Sequence, residues 1–362
     1  MALSPDIASS PLRAELWRIN APMPVPLWTP VGTFDRTNAL AVRLSDDQGH
    51  QGVGTAHYID EAGLAQVAQA AQALLGACAH TLGGLLQVER IDARSADCNV
   101  FSRRAASALS FAAWDLLGRR AGTACADLWG RPLQRTTLPA YASGLFLNCS
   151  EDELVADAHR YRAAGYRLLK MRGGKPPEED AARHALISSI FPDPGSVAID
   201  IYFQYDAART RKLIRHFKTP PMWVEDPIRY ETMAELRGES CIAAGETCVD
   251  QAGLLALCEA GVRNIILDAQ ELGGPLRFLE AARMLHALGH RVGSHTFAHE
   301  SPHLLAVLPD SMPVEVLDWW NGLYNESPDP DVNANGRVAV RGPGLGVSLN
   351  EATLKHHGQQ VL

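Results

Sequence analysis

Basic runs are missing from this 362-residue chain: no lysine- or arginine-rich stretch occurs anywhere, and the formal net charge is -8. A nucleic-acid duplex or an anionic membrane would call for a concentrated basic patch, so neither is expected as a partner. The seven cysteines (Cys78, Cys98, Cys125, Cys149, Cys241, Cys248, Cys258) contain no C-x-x-C pair, and an odd number does not close a disulfide framework. Reduced thiols in a cytoplasm are expected instead. No basic segment leads into an apolar run near the start, and no stretch reaches membrane-spanning length, which again suggests a cytoplasmic protein. What is present is ordinary for a globular chain: 46% hydrophobic and 20% charged residues, with enough length for two or three domains.

The first 125 residues read as a strand-rich start followed by helices. Alternation over Asn38 to Leu44, a turn at Asp46 to Gly49 and a short strand over Gly52 to Thr55 suggest a meander. Leu64 to Leu75 and Ala105 to Arg119 carry helical spacing. This stretch is expected to form a separate α+β domain.

From about Pro139 the texture changes to short apolar runs alternating with longer amphipathic stretches. The runs are Tyr166 to Lys170, Val197 to Asp200, Met222 to Glu225, Ile242 to Glu246, Ile265 to Asp268, Val292 to His295 and Val314 to Glu315. Buried parallel strands look like this, because helices cover both faces. From Lys170 through Asp200, Glu225, Glu246, Asp268 and His295 to Glu315 the steps are 30, 25, 21, 22, 27 and 20 residues. One strand, one helix and two loops take about that much chain. With the run at Pro139 to Gly144 the strands number eight, and a closed α/β barrel is the simplest architecture.

Each run ends in an ionisable residue, and in a barrel those ends converge on one mouth. A lone charge after a strand is usually just solvated; seven in succession point to a site. Asp200, Glu225 and Glu246 would repel one another unless a cation neutralised them. An all-oxygen set selects a hard ion such as Mg2+ and disfavours zinc. Asp268 beside His295 would fix the imidazole tautomer and raise its basicity, as a general base requires. Lys170 and Arg172, at alternate positions, would point the same way and stabilise an enediolate formed next to a carboxylate. Glu315, if protonated, would donate to the far carboxylate oxygen; the competing reading pairs it with a nearby cation.

These residues resemble the enolase superfamily, mandelate racemase branch. Ala112-Ala-Trp-Asp-Leu-Leu-Gly118 is similar to the helix motif closing that family's capping domain. Glu225-Asp-Pro227 and Ala244-Gly-Glu246 resemble its strand-four and strand-five signatures, and Gly273-Gly274 follows the strand-six aspartate as in the family. Pro343-Gly-Leu-Gly346 resembles the tail that returns to the cap. The resemblance implies an α+β cap (residues 1–125), a modified TIM barrel of (β/α)7β type (126–325) and a C-terminal segment completing the cap (326–362). It also implies a homo-oligomer acting on a small carboxylate.

Three departures redirect the activity. Lys170-Met-Arg172 has arginine where the racemase pattern has a second lysine, and a guanidinium is a poor base. Serine precedes His295 where proline is common, and Asp200-Ile-Tyr202 lacks the frequent asparagine. A base on one face suits dehydration of an acid sugar (aldonate or aldarate) to a 2-keto-3-deoxy acid, a hydro-lyase reaction. The alternatives are a racemase or epimerase, a sugar-lactone cycloisomerase and, more remotely, a binding protein without catalysis. Specificity is expected from a cap loop over Pro22 to Thr37 carrying Trp28, Phe34 and Arg36, from His57 in a second loop, and from Tyr202 and Trp319 at the mouth.

Overall fold

Alternation in the cap strands divides side chains between two cores. The computed structural model describes residues 9, 11–29, 32–90, 98–130, 135–317, 322–329 and 335–362. Strands β1 (Arg13–Thr29), β2 (Gly32–Ser45) and β3 (Gln51–His57) form an antiparallel meander. Leu40, Val42 and Leu44 of β2 pack with Leu64, Val67, Leu109 and Leu116 of the cap helices. Ala39 and Ala41, facing the other way, join the core shared with the barrel. The helix Val100–Ala121 lies directly on β3 because Gly52 and Gly54 leave room for it. A Cβ at either glycine would fall 2.2 Å from a helix carbonyl oxygen, of Ala112 or Ala108 respectively.

Eight parallel strands follow in chain order: β4 (Thr137–Gly144), β5 (Leu168–Arg172), β6 (Val197–Asp200), β7 (Val224–Glu225), β8 (Ile242–Ala244), β9 (Asn264–Leu267), β10 (Arg291–Ser294) and β11 (Val314–Leu317). Each pairs with its sequence neighbour from β4 to β10, and β11 pairs with β4. Between β10 and β11 the ring is drawn together by the Met312 N–H, which donates to the Val292 carbonyl at 2.8 Å. Tyr141, Ala198, Trp223, Ala243, Ile266 and Met312 fill the barrel interior, so it is a packed core rather than a pore. A short strand, β12 (Arg337–Ala339), adds antiparallel to β4.

The end of the chain belongs to the cap. Strand β13 (Gly358–Gln360) pairs with β1, setting Trp17 against Gln360. Asp115, in the helix motif, accepts N–H bonds from Val53 (2.8 Å) and Leu345 (2.6 Å), tying the Pro343 to Gly346 segment to the cap sheet. Gly344, at φ 68°, permits this approach, since a Cβ there would fall 2.0 Å from the Asp115 carboxylate.

Three side chains, Gln270 from the barrel and Arg104 and Glu89 from the cap, fix the cap over the barrel mouth. The Gln270 side chain accepts from the His57 N–H (3.1 Å) and donates to the Thr55 carbonyl (3.2 Å). Arg104 pairs with Glu271 and donates to the His57 carbonyl at 2.7 Å. Glu89 accepts the N–H groups of Leu276 (3.3 Å) and Arg277 (2.9 Å) at the start of the helix Pro275–Ala287. The described residues between Pro22 and Thr37 correct one expectation: Pro22 to Thr29 and Gly32 to Thr37 are not loop but the far parts of β1 and β2, with Leu27 opposite Phe34. Among the described residues no helix is long and apolar enough to cross a membrane.

Candidate active site at the barrel mouth

Backbone strain collects where the barrel strands end. Leu145, Tyr202, Phe203, Asp226, Thr296 and Phe297 all hold φ between 39° and 60°. They follow β4, β6, β7 and β10 by one to three residues. Non-glycine residues avoid this region, and those that occupy it cluster at functional sites.

Lys170 and Arg172 share a face of β5 but differ in depth. Lys170 is 0% exposed. Its Nζ lies 2.5 Å from Glu225 Oε1, 2.8 Å from Glu315 Oε1 and 3.8 Å from Asp200 Oδ2. The Trp223 indole donates to the other Glu225 oxygen at 2.7 Å. Arg172, two residues nearer the mouth, pairs with Asp200 and donates to Ser143 Oγ at 3.1 Å. Burial pushes the Glu225 carboxyl up to about 7; Lys170 pulls it down, while Asp200, Glu315 and Glu246 push it further up. For Glu315 burial is outweighed by Lys170, His295 and Arg172, which hold it well below the usual carboxylate range. Lys170 and Glu315 thus pair in this structure, the arrangement that the sequence offers as the alternative to a protonated donor.

His295 is held at both ring nitrogens. Nδ1 lies 2.8 Å from Asp268 Oδ2, and Nε2 lies 3.3 Å from Glu246 Oε2. A carboxylate only accepts, so Nδ1 carries a proton and Nε2 is the position that titrates. Asp268 is itself fixed, because Oδ1 accepts the Gln270 (2.7 Å) and Glu271 (3.1 Å) N–H groups and caps the helix Ala269–Leu272. Burial disfavours the imidazolium, but Glu246 and Asp268 outweigh it and raise the His295 pKa to about 10.

Cap and barrel enclose a cavity of about 340 Å³. The barrel contributes Arg172, Tyr202, Glu246, Asp268, His295 and Thr296; the cap contributes Leu27, Phe34, Arg36, His57, Tyr58 and Arg104. Phe34, Arg36, His57 and Tyr202 thus all line the cavity. Trp28 does not: it is 46% exposed, and its neighbours Leu27 and Thr29 face the cavity instead. Trp319 falls outside the described residues. Lys170, Asp200, Glu225 and Glu315 lie beneath the cavity wall rather than on it. Arg104 and Thr296 were missed: one is an ordinary basic residue in a helix, and the other is marked only by following His295 at a strand end.

Among the described residues, no group of three His, Cys, Asp or Glu side chains stands spaced to hold a metal ion. The expected triad is instead divided among cations: Glu225 on Lys170, Asp200 on Arg172 and Glu246 on His295. The donor chemistry nevertheless fits a hard divalent cation. Six carboxylates (Asp200, Glu225, Asp226, Glu246, Asp268, Glu315) face four cationic side chains (Arg104, Lys170, Arg172, His295). Asp226 is buried, and its Oδ2 has no hydrogen-bond partner among the described residues. Burial, with Glu246, Glu225 and Asp200, pushes its carboxyl well above the usual range. A divalent ion offsets such an excess of negative charge.

A capped (β/α) barrel whose mouth carries carboxylates and a carboxylate-oriented histidine defines an enolase-like protein. Residues 153–353 match the model of the enolase C-terminal domain-like family, and residues 13–130 match the mandelate racemase/muconate lactonizing enzyme N-terminal domain. The chain belongs to the mandelate racemase branch of the enolase superfamily. It is 28% identical to a 3,6-anhydro-alpha-L-galactonate cycloisomerase of Streptomyces coelicolor, over 94% of this chain and 96% of that one. It is 27% identical to a D-gluconate dehydratase of Thermoproteus tenax, over 71% of this chain and 56% of the relative's length. An L-talarate dehydratase from a Polaromonas species, crystallised with Mg and L-glucarate, superposes with TM-score 0.85 at 24% identity, covering 98% of this chain and 99% of that one.

Proposed function

We propose that this protein binds Mg2+ and removes the proton α to the carboxylate of an acid sugar, expelling the β-hydroxyl as water to leave a 2-keto-3-deoxy acid. The observation that carries this reading is His295: its Nδ1 is locked on Asp268, and its ring reaches the cavity with Nε2 beside Glu246. Asp200, Glu225 and Glu246 would hold the ion, which when bound supplies charge stabilisation to the enediolate. Glu246 is one of three carboxylates, with Asp268 and Glu315, that keep the proton on His295. Once it is committed as a ligand, their pull weakens and Nε2 titrates closer to neutrality, where it serves as a base.

The rest follows from the same side chains. Nε2 takes the C2 proton, and the imidazolium so formed returns a proton to the departing C3 hydroxyl. Arg172, on the cavity wall, is permanently charged and anchors the substrate's carboxylate or a hydroxyl rather than acting as a second base. That asymmetry favours dehydration over racemisation. Relatives named as dehydratases and bound to a hexarate support the substrate class.

A sugar-lactone or anhydro-sugar cycloisomerase is the second reading, favoured by the relative that aligns over nearly the whole chain. A panel of aldonates, aldarates and their lactones, incubated with the protein and Mg2+, separates the two. Formation of 2-keto acid supports the dehydratase. Lactone turnover without keto acid replaces it with the cycloisomerase. Inertness toward the whole panel refutes both.

A further inference from the structure

The residue after the proposed base combines three features seldom found together. Thr296 is β-branched yet holds φ at 47°, in the left-handed region that such side chains avoid. It is 1% exposed, and its Oγ1 has no hydrogen-bond partner among the described residues. It also lines the cavity next to His295. A buried hydroxyl without a partner costs stability, and valine would fill the same space without that cost.

The surroundings enforce this conformation. The Thr296 N–H donates to Glu315 Oε2 at 2.8 Å, and its carbonyl accepts from Ser301 Oγ at 2.7 Å. Ser301 Oγ also lies 2.8 Å from Ser294 Oγ, so one buried hydroxyl contacts both residues that flank His295. Every backbone polar atom of Thr296 is thus committed, while its side-chain hydroxyl is not. A strained residue held in place with an unused donor and acceptor is arranged for a ligand rather than for stability.

We propose that Thr296 is a specificity-determining residue whose hydroxyl bonds the substrate hydroxyl on the carbon next to the one that loses its proton. This rests on the proposed acid-sugar chemistry and assigns a residue to the β-hydroxyl that the reaction expels. A threonine hydroxyl both donates and accepts, which matches an alcohol group better than it matches a hydrocarbon. Rejection of substrates lacking that hydroxyl follows, because the buried group would then stay unpaired.

The test uses Thr296→Val and Thr296→Ser in the full chain with Mg2+, the acid sugar that the wild type turns over best, and its 3-deoxy counterpart as a competitive inhibitor. Valine is expected to lower kcat/KM on the acid sugar at least tenfold and to leave the inhibition constant of the 3-deoxy acid within twofold. Serine should keep most of the activity. The thermal midpoint of the valine variant should equal or exceed that of the wild type, since a partnerless hydroxyl has been removed. Unchanged kcat/KM in the valine variant overturns the assignment, as does an equal loss toward the 3-deoxy acid or a lowered midpoint, which would mark the hydroxyl as structural. If the wild type removes no C2 proton from any acid sugar, the proposed function itself fails and takes this assignment with it. A wild type that turns over while valine has no effect refutes only the role of Thr296.

Discussion

Replacing Asp268 with asparagine exposes the proposed base most cleanly, because the structure leaves the new amide no good orientation. Asp268 does two jobs with two oxygens: Oδ2 faces His295 Nδ1, and Oδ1 caps the helix by accepting from Gln270 and Glu271. If the asparagine oxygen keeps the cap, its NH2 meets the Nδ1–H, and the imidazole must move its proton to Nε2. That is the wrong tautomer for a base, a fault that costs about ten-thousand-fold in a comparable carboxylate–histidine pair, or about 5 kcal/mol. If the amide flips to serve His295, two buried N–H groups lose their acceptor at about 1–3 kcal/mol each. The active arrangement would then be populated at about a thirtieth or less. Asparagine caps helices as well as aspartate does, so in the first case stability should change by less than about 1 kcal/mol. The assay is steady-state turnover of the acid sugar, with circular dichroism as the check on folding. A loss of at least about thirtyfold in a folded variant is expected from these costs. A loss smaller than tenfold would refute the base assignment.

Two further outcomes are expected. Glu225→Gln removes the charge that Lys170 and the proposed ion share, so Mg2+ affinity measured by titration calorimetry should fall at least about tenfold; unchanged affinity removes Glu225 from the metal site. Burial raises the Glu89 carboxyl to about 7 from an ordinary 4.5. The folded state therefore holds that proton more tightly than the unfolded one. The resulting stability is complete below pH 4.5 and is lost as pH rises through 7, up to about 3 kcal/mol. Glu89→Gln should flatten this part of the dependence in urea unfolding at pH 5 and pH 8, and a variant with the wild-type pH slope contradicts the attribution.

Strand ends were legible in the sequence because each apolar run closes on a charge that a buried parallel strand cannot hold inside. Asp200, Glu225, Asp268 and His295 therefore appear in the right order around the mouth. Depth was not legible. Alternation places Lys170 and Arg172 on one side but does not say that the first is sealed among Glu225 and Glu315 while only the second reaches the cavity. The cap was harder still. A register shift between Pro22 and Leu27 interrupts the period of β1, so nothing local reveals that Leu27 rather than Trp28 turns inward. Thr296 carries no pattern at all, since its strain and its unused hydroxyl come from Glu315 and Ser301, which bond it from elsewhere in the fold.

Proton removal by His295 is the central claim, and loss of the substrate C2 proton in deuterium oxide, followed by proton NMR, tests it most directly. With Mg2+ and a responsive acid sugar, the wild type should lose the C2 signal and yield a keto acid deuterated at C3. His295→Asn should leave the C2 proton in place. Undiminished loss of that proton in a folded His295→Asn variant would contradict the account.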